Sequence, residues 1–110
     1  MSLHVPLNET TANMMDAIRL KRMKKDAILL NAARGGIVDE AALAAALKAG
    51  EIGGAALDVF DVEPLTPERG AIFKDCPNLI LTPHIAGVTQ ESNVRVSHVT
   101  IANVLRALEA

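Results

Sequence analysis

Four ionisable side chains stand at or just after hydrophobic segments of the sequence, and their types fit acid–base chemistry on a small anion. Arg34 follows AILLNAA, Asp58 lies near the end of AALDVF with Glu63 beyond it, and His84 follows LILTP. A guanidinium binds a carboxylate through two parallel hydrogen bonds, and an imidazole transfers protons near neutral pH. A carboxylate beside an imidazole favours its protonated form. Together these residues predict a site that handles an anionic small molecule.

Each of these residues also has a purely structural interpretation when it is considered alone. Arg34 could satisfy a loop carbonyl or pair with Asp39, and Asp58 could cap a helical turn that follows it. Glu63 could be a solvated loop residue, and His84 could be a buried histidine held by a backbone hydrogen bond. Four independent structural roles at equivalent positions are a poorer explanation than one shared site.

The hydrophobic pattern predicts alternating strands and helices that bring these side chains together. The predicted strands are 3–7, 27–33, 55–60 and 79–82, and the predicted helices are 14–25, 39–50 and 89–110. The proline-containing stretch 61–77 is predicted to be a loop with one helical turn near 69–73. This order predicts a mainly parallel sheet with right-handed crossovers. Because ligands bind beyond the carboxyl ends of parallel strands, that edge is the predicted site.

Capping residues indicate where two of the helices begin. Asp39 is a good N-cap with Glu40 in the first turn, and Thr89 is predicted to cap the last helix. One face of that last helix is apolar, through Val94, Ile101, Leu105 and Leu108. His98 lies on this apolar face and is predicted to pack against other side chains. His4 lies in the first strand segment and its loop, and a place beside a cofactor is the weaker interpretation of it.

Composition limits the class of protein and its partners. The chain of 110 residues is long enough for one small domain, and 50% of its residues are hydrophobic but only two are aromatic. An aliphatic core of this kind is typical of helices packed on a parallel sheet. A net charge of −2 gives no reason to expect nucleic acid or a membrane surface as a partner. A single cysteine, Cys76, favours a cytoplasmic setting, and the three histidines lack metal-ligand spacing.

Three stretches resemble the nucleotide-binding domain of the D-isomer-specific 2-hydroxyacid dehydrogenases. They are LHVPLNETT at 3–11, AILLNAARGGIVDEAALAAALKAGEIGGAALDVFDVEP at 27–64 and LILTPHIAGVTQES at 79–92. This family includes phosphoglycerate dehydrogenase, hydroxypyruvate reductase, D-lactate dehydrogenase and formate dehydrogenase. The resemblance implies an α/β fold, the C-terminal half of a Rossmann-type doubly wound parallel sheet, with about four strands and flanking helices. Residues 1–110 would form one partial domain, with 89–110 as its terminal helix.

The resemblance also implies a catalytic role for three residues. Arg34 resembles the arginine that holds the substrate carboxylate and keto oxygen. His84 resembles the general acid–base that protonates the keto oxygen as hydride arrives, and Glu63 resembles the acid that pairs with this histidine and fixes its tautomer. The implied reaction moves a hydride between NAD and a 2-keto or 2-hydroxy acid, with acid–base catalysis contributing about 10²–10⁴-fold.

A further set of residues is implied to lie against the cofactor. Asp58 resembles the acceptor of the nicotinamide carboxamide, and Pro6 and Thr11 resemble residues near the adenosine and phosphates. The other implied cofactor contacts are Ala32, Ala33, Arg34, His84 and Gly87. NAD is the usual cofactor of the family, and NADP stays open because the residue that would distinguish the two is absent from this sequence.

Two features of the family's nucleotide-binding domain are missing from the sequence. One is the GxGxxG turn that holds the pyrophosphate, and the other is the ribose-binding acid about 20 residues after it. We therefore expect weak cofactor binding and little turnover by this chain alone, and a bare sheet edge that favours homo-oligomers. The alternative is a non-catalytic truncated paralogue that serves as a dimerisation or interaction module. An unrelated α/β regulator would leave Arg34, Glu63 and His84 unexplained together.

Overall fold

A four-stranded parallel sheet forms the centre of the structure, a computed structural model in which residues 1–109 are described. Its strands lie side by side in chain order, as β1 (Ser2–Leu3), β2 (Ile28–Asn31), β3 (Gly54–Leu57) and β4 (Leu79–Leu81). The register aligns Leu3 with Asn31, Asn31 with Leu57, and Leu57 with Leu81. All four strands therefore end at the same level, and the predicted parallel α/β sheet is confirmed.

Helical segments connect the strands and follow the sheet. They are α1 (Ala17–Lys21), α2 (Glu40–Lys48), α3 (Pro67–Gly70), a 3-10 helix (Ala71–Phe73) and α4 (Gln90–Leu108). The Asp39 carboxylate accepts a hydrogen bond from the backbone N–H of Ala42, and the Thr89 hydroxyl accepts one from that of Ser92. Both predicted N-caps are confirmed, because each side chain occupies a backbone donor that the helix leaves free.

One face of the sheet carries the crossover helices. Strands that follow one another in one direction through right-handed crossovers place those helices on the same side. Accordingly α1 packs on α2, and α2 packs on the 3-10 helix. Burial along β2 alternates as expected for a sheet with one covered face: Leu29 is fully buried, whereas Ile28 and Leu30 are 47% and 41% exposed. We use the name uncovered face for two exposed regions taken together, the sheet residues Ile28, Leu30 and Ile80 and the separate helix α4.

The core between the sheet and these helices is aliphatic, as the composition predicts. Its fully buried side chains include Leu20, Leu29, Ile37, Leu43, Leu47 and Leu57. Each such leucine or isoleucine contributes about 1.5–3 kcal/mol through burial. The two phenylalanines, Phe60 and Phe73, meet edge to face at the border of the core, with ring centroids 6.3 Å apart.

Two predicted elements are much shorter in the structure. The helix predicted over 14–25 spans only Ala17–Lys21, and it starts late because Met15 forms a parallel bridge with Val38 instead. The Met15 N–H donates to the carbonyl of Ile37, so the chain is extended there and Asp16 caps the helix that follows. The first strand ends at Leu3 rather than at residue 7.

The long helix α4 has no buried side chain among residues 90–108. Its apolar face is exposed, and the prediction that His98 packs against other side chains is wrong within this chain, since His98 is exposed too. The predicted last residue of the helix, at 110, lies outside the described residues. In the described part of the chain, no helix has both the length and the hydropathy that crossing a membrane requires.

Candidate active site

Four loops leave the carboxyl ends of the strands at one edge of the sheet, which we call the strand-end edge. These loops span 4–12, 32–39, 58–66 and 82–89. The last three carry Arg34, Glu63 and His84, and a cleft of about 550 Å³ is lined by all three of these residues. The convergence predicted from the strand ends is therefore present, since residues from separate loops meet in one space.

The Glu63 carboxylate and the His84 imidazole form a short hydrogen bond. Oε2 of Glu63 lies 2.7 Å from Nδ1 of His84, and Oε1 accepts from the backbone N–H of Phe60 at 2.9 Å. The hydrogen bond with His84, followed by that from Phe60, lowers the pKa of Glu63 from its ordinary value. Because the carboxylate accepts at Nδ1, a neutral ring carries its proton there and keeps Nε2 for other partners.

A buried carboxylate, Asp58, holds the turn that carries His84. One of its oxygens accepts from the Thr82 hydroxyl and from the Ile85 N–H, and the other accepts from the Ala86 N–H. Burial alone would raise the pKa of Asp58, but these three hydrogen bonds outweigh it, and the pKa is lowered. His84 itself has a φ of +56°, a conformation that few residues other than glycine adopt.

The hydrogen bonds of Asp58 distinguish between the two interpretations of this residue, a helix cap and a cofactor contact. It does not cap a following helical turn, because its partners are Thr82, Ile85 and Ala86. Its Oδ2 accepts one hydrogen bond from this chain and has a lone pair for another. The contact between Asp58 and a nicotinamide carboxamide stays a prediction, in which Oδ2 is the acceptor.

The Arg34 side chain is exposed at the cleft, and its guanidinium makes one hydrogen bond, to a loop carbonyl as one structural interpretation predicted. Its Nη1 donates to the carbonyl of Ala33 at 2.6 Å, and it does not pair with Asp39, whose carboxylate caps α2. Its backbone is fixed by Asn31, a buried residue whose Nδ2 donates to the Arg34 carbonyl and whose Oδ1 accepts from the Ala33 N–H. The guanidinium thus keeps most of its donors for an anion.

Asn31 is a site-shaping residue that the sequence reasoning missed. It is 2% exposed, and both ends of its amide bond the turn before Arg34. The available signal was one amide at the end of an otherwise apolar strand, because a buried amide needs polar partners nearby.

A second cleft, of about 650 Å³, adjoins the first one along Leu7 and Arg34. It is lined by His4, Val5, Pro6, Leu7, Ala32, Ala33 and Arg34. Four of the predicted cofactor contacts thus lie together, namely Pro6, Ala32, Ala33 and Arg34. The small alanine side chains leave room for a flat ring beside the backbone, so this cleft fits the predicted cofactor.

Three predicted cofactor contacts, Thr11, Asp58 and Gly87, lie outside the lining of either cleft. Asp58 is buried behind His84 and bonds the turn that follows it. Thr11 supports the second cleft indirectly, because its hydroxyl donates to the carbonyl of Pro6 at 2.6 Å. Gly87 lies in the exposed loop after His84, and a Cβ added to it would meet nothing within 4 Å. His4, which had the weaker sequence argument, does line the second cleft.

A third, mainly apolar cavity of about 540 Å³ also borders the Glu63–His84 pair. Its apolar lining is formed by Phe60, Pro64, Leu65, Leu81 and Pro83. The pair therefore lies between a cleft that contains Arg34 and a space that is poor in polar partners. Within residues 1–109, no three His, Cys, Asp or Glu side chains are grouped as metal ligands would be.

Comparison with known proteins identifies relatives with this arrangement of elements. Residues 1–86 match the family model of the D-isomer specific 2-hydroxyacid dehydrogenase NAD binding domain. The chain is 55% identical over 107 residues to the (S)-sulfolactate dehydrogenase of Chromohalobacter salexigens. That match covers 97% of this chain but 34% of the relative. The chain spans about a third of the length of the first curated relatives it matches.

Solved structures show the same fold. A D-lactate dehydrogenase from Sporolactobacillus aligns with a TM-score of 0.89 and 37% identity, over 99% of this chain and 36% of that one. A D-isomer specific 2-hydroxyacid dehydrogenase from Lactobacillus delbrueckii ssp. bulgaricus, in its NAD-complexed form, aligns with a TM-score of 0.85 and 38% identity. This second alignment covers 99% of this chain and 37% of that one.

Proposed function

The chain belongs to the D-isomer-specific 2-hydroxyacid dehydrogenase family, through the NAD-binding domain, and we propose that it carries the catalytic side chains of an NAD-dependent oxidoreductase. The proposed substrates are a D-2-hydroxy acid and the corresponding 2-keto acid. One observation carries the proposal: the hydrogen-bonded Glu63–His84 pair and Arg34 line the same cleft. The names of the relatives, a sulfolactate and a lactate dehydrogenase, support this substrate class.

In the proposed reaction, Arg34 binds the carboxylate of the substrate, since its planar guanidinium matches two carboxylate oxygens. A protonated His84 donates a proton from Nε2 to the keto oxygen as that oxygen gains charge, and it takes the proton back in the oxidative direction. The ionised Glu63 stabilises the imidazolium and orients the ring through Nδ1. The nicotinamide, when bound, supplies the hydride for reduction and accepts it for oxidation.

The proposed cofactor is NAD, held along the second cleft by Pro6, Ala32 and Ala33. Thr11 supports the Pro6 backbone, and Asp58 and Gly87 are the proposed contacts beside His84. The choice of NAD over NADP follows the family, because this sequence holds no residue predicted to read the ribose. A cytoplasmic location and the extent of the domain over 1–110 stay predictions.

Ligand binding to the chain tests this proposal directly. We expect NADH to bind weakly, with a Kd above about 1 mM, because this sequence holds no pyrophosphate-binding turn. A small 2-keto acid such as pyruvate should also bind weakly, because it is held mainly by Arg34 in an open cleft. In ¹H–¹⁵N NMR titrations, the shifted amides should lie in residues 4–7, 32–36 and 84–87. Arg34→Ala should abolish the shifts caused by the keto acid and keep those caused by NADH. Keto-acid shifts that survive in Arg34→Ala would contradict the proposed role of this residue.

A turnover assay complements the binding experiment. We expect no NADH-dependent reduction of 2-keto acids above that of a matched His84→Ala variant, because the chain holds side chains for proton transfer but a poor cofactor site. Activity that disappears in His84→Ala would show that these 110 residues suffice for catalysis. That result would contradict the expectation that the chain alone is an incomplete enzyme.

We further propose that the chain associates with a second copy through the uncovered face. The chain exposes 7566 Å² of surface, whereas a folded monomer of 11.6 kDa exposes about 5,800 Å². The excess exceeds the roughly 800 Å² per partner that a standard protein interface buries. The same observation favours the second candidate function, a non-catalytic dimerisation or interaction module. Full-length relatives that bind the chain while it shows no ligand binding would support that candidate.

A further inference from the structure

The segment that carries Glu63 lies outside every helix and strand, so its position depends on contacts from elsewhere. Val62, Glu63 and Pro64 are exposed, whereas the neighbouring Phe60 is buried. His84 bonds the Glu63 side chain, and one further distant side chain bonds the backbone of the segment: Oε1 of Glu40 accepts from the N–H of Asp61 at 2.8 Å. Glu40 precedes Asp61 by 21 residues.

Glu40 makes a hydrogen bond that the usual role of an acidic residue in the first turn of a helix does not include. Such an acid acts on the helix dipole from an exposed position, and the capping of α2 is already performed by Asp39. Burial raises the pKa of Glu40, although the hydrogen bond from Asp61 opposes that effect. The charged groups around its carboxylate are Asp61, Arg69 and Asp39. The Glu40 carboxylate is therefore partly buried at the position where it bonds the Glu63 segment.

A second contact fixes the same peptide from the loop that carries Arg34. A Cβ added to Gly35 would lie 1.8 Å from the carbonyl oxygen of Phe60, so the two backbones are in direct contact. The Phe60 N–H in turn donates to Oε1 of Glu63, and Oε2 of Glu63 bonds His84. A continuous set of contacts thus leads from Glu40, through the backbone of Asp61 and Phe60 and the Glu63 carboxylate, to the imidazole.

We propose that Glu40 is a positioning residue for the Glu63–His84 pair. By accepting from the Asp61 N–H, its carboxylate fixes the backbone from which Glu63 reaches Nδ1 of His84. Glu40 lines none of the three cavities at this edge, and it acts on the site through Glu63. The inference rests on the proposed function for the catalytic meaning of the pair, whereas the contacts themselves do not depend on turnover.

The tautomer of neutral His84 measures this positioning without requiring activity. Side-chain ¹⁵N chemical shifts of the chain, recorded at a pH where the rings are neutral, give the fraction of His84 with its proton on Nδ1. We expect Glu63→Ala to abolish the preference for Nδ1 and Glu40→Ala to lower that fraction by about twofold or more. Glu40→Gln should restore it, because the amide oxygen still accepts from Asp61. His4 and His98 provide unchanged reference signals in the same spectra.

Asp39→Ala is the matched control, because it weakens the same end of α2 and keeps the Glu40 contact. It should lower the thermal stability and leave the His84 tautomer unchanged. If Glu40→Ala does not fold, Glu40→Met keeps the side-chain length without an oxygen acceptor and is judged in the same way.

The proposal is overturned by any of three results. They are an unchanged tautomer in Glu40→Ala, an equal change in Asp39→Ala, and a Glu63→Ala variant that matches the wild type. A failure of the proposed function looks different, since keto-acid binding independent of Arg34 leaves the tautomer experiment intact.

Discussion

The strand-end edge and the uncovered face differ in whether the chain itself provides partners for their side chains. At the strand-end edge, the carboxylates of Asp58 and Glu63 are bonded within the chain, and every buried side-chain nitrogen or oxygen in residues 1–109 has a partner. At the uncovered face, Leu30 and Ile80 are 41% and 64% exposed, and α4 buries no side chain. The chain therefore holds its own Asp58 and Glu63 side chains in place, whereas it does not bury the apolar side chains of the uncovered face.

The largest effect expected at the strand-end edge is that of Gly35→Ala. Its methyl group would overlap the carbonyl of Phe60, so the two loops must separate. We expect a loss of more than about 3 kcal/mol in the free energy of unfolding, measured by urea denaturation. Gly87→Ala is the matched control and should change the stability by less than about 0.5 kcal/mol, because open space surrounds it. Equal effects of both variants would show that the loops are not in contact.

Asp58→Ala is expected to rank second, because it leaves the Thr82 hydroxyl and the Ile85 and Ala86 amides without their acceptor. An unsatisfied buried donor costs about 1–3 kcal/mol, and these donors can partly reach water. We therefore expect a loss of about 3 kcal/mol, with faster hydrogen exchange at the two amides. Asp61→Ala, on the exposed side of the same loop, should be nearly neutral. Unchanged exchange at Ile85 and Ala86 would contradict the anchoring role of Asp58.

At the uncovered face, Leu105→Asp should act on association rather than on the fold. Leu105 lies on the apolar face of α4 and is 53% exposed in the single chain. Removing a leucine buried in an interface costs about 2 kcal/mol, which raises the dissociation constant about 30-fold. Sizing with light scattering measures this change. Asn103→Asp adds the same charge on the opposite side of the helix and should have little effect. A wild-type chain that is monomeric at all concentrations would contradict the proposed self-association.

Acidification is expected to have the smallest effect, and it acts through the strand-end edge. The lowered pKa of Asp58 stabilises the fold above the unfolded value of 3.8, and this stabilisation is lost as the pH falls through the folded pKa. The pKa of Glu63 is also lowered, so its contribution to stability is likewise lost as the pH falls below 4.5. Glu40, with a raised pKa, acts in the opposite direction and favours the fold at lower pH.

Urea unfolding at several pH values separates these contributions. We expect the wild type to lose stability from about pH 5 downward, and Asp58→Asn to lose less of it over the same range. Glu68 and Glu91 also have lowered pKa values, so Glu40 opposes four carboxylates and should reduce the loss of stability without reversing it. A wild-type stability that increases on acidification would show that the raised pKa of Glu40 dominates.

Much of the fold follows from local sequence signals. The runs ILLN and GAAL read as strands, and Asp39 and Thr89 mark helix starts, because a buried strand and a capped helix each need residues that are adjacent in the sequence. The helix predicted over 14–25 was too long because the signal that shortens it, the bridge between Met15 and Val38, joins residues 23 apart. Periodicity within one window contains no information about such a partner.

The types and order of the candidate site residues were determined by the sequence, because each of Arg34, Glu63 and His84 follows a strand and parallel strands end at one edge. Only the tertiary structure decided how these side chains are held. The anchoring of His84 by Asp58, of the Arg34 turn by Asn31 and of the Glu63 segment by Glu40 depends on hydrogen-bond geometry. Two of these three contacts join distant segments, and a buried polar group takes whichever partner the packed chain places within reach.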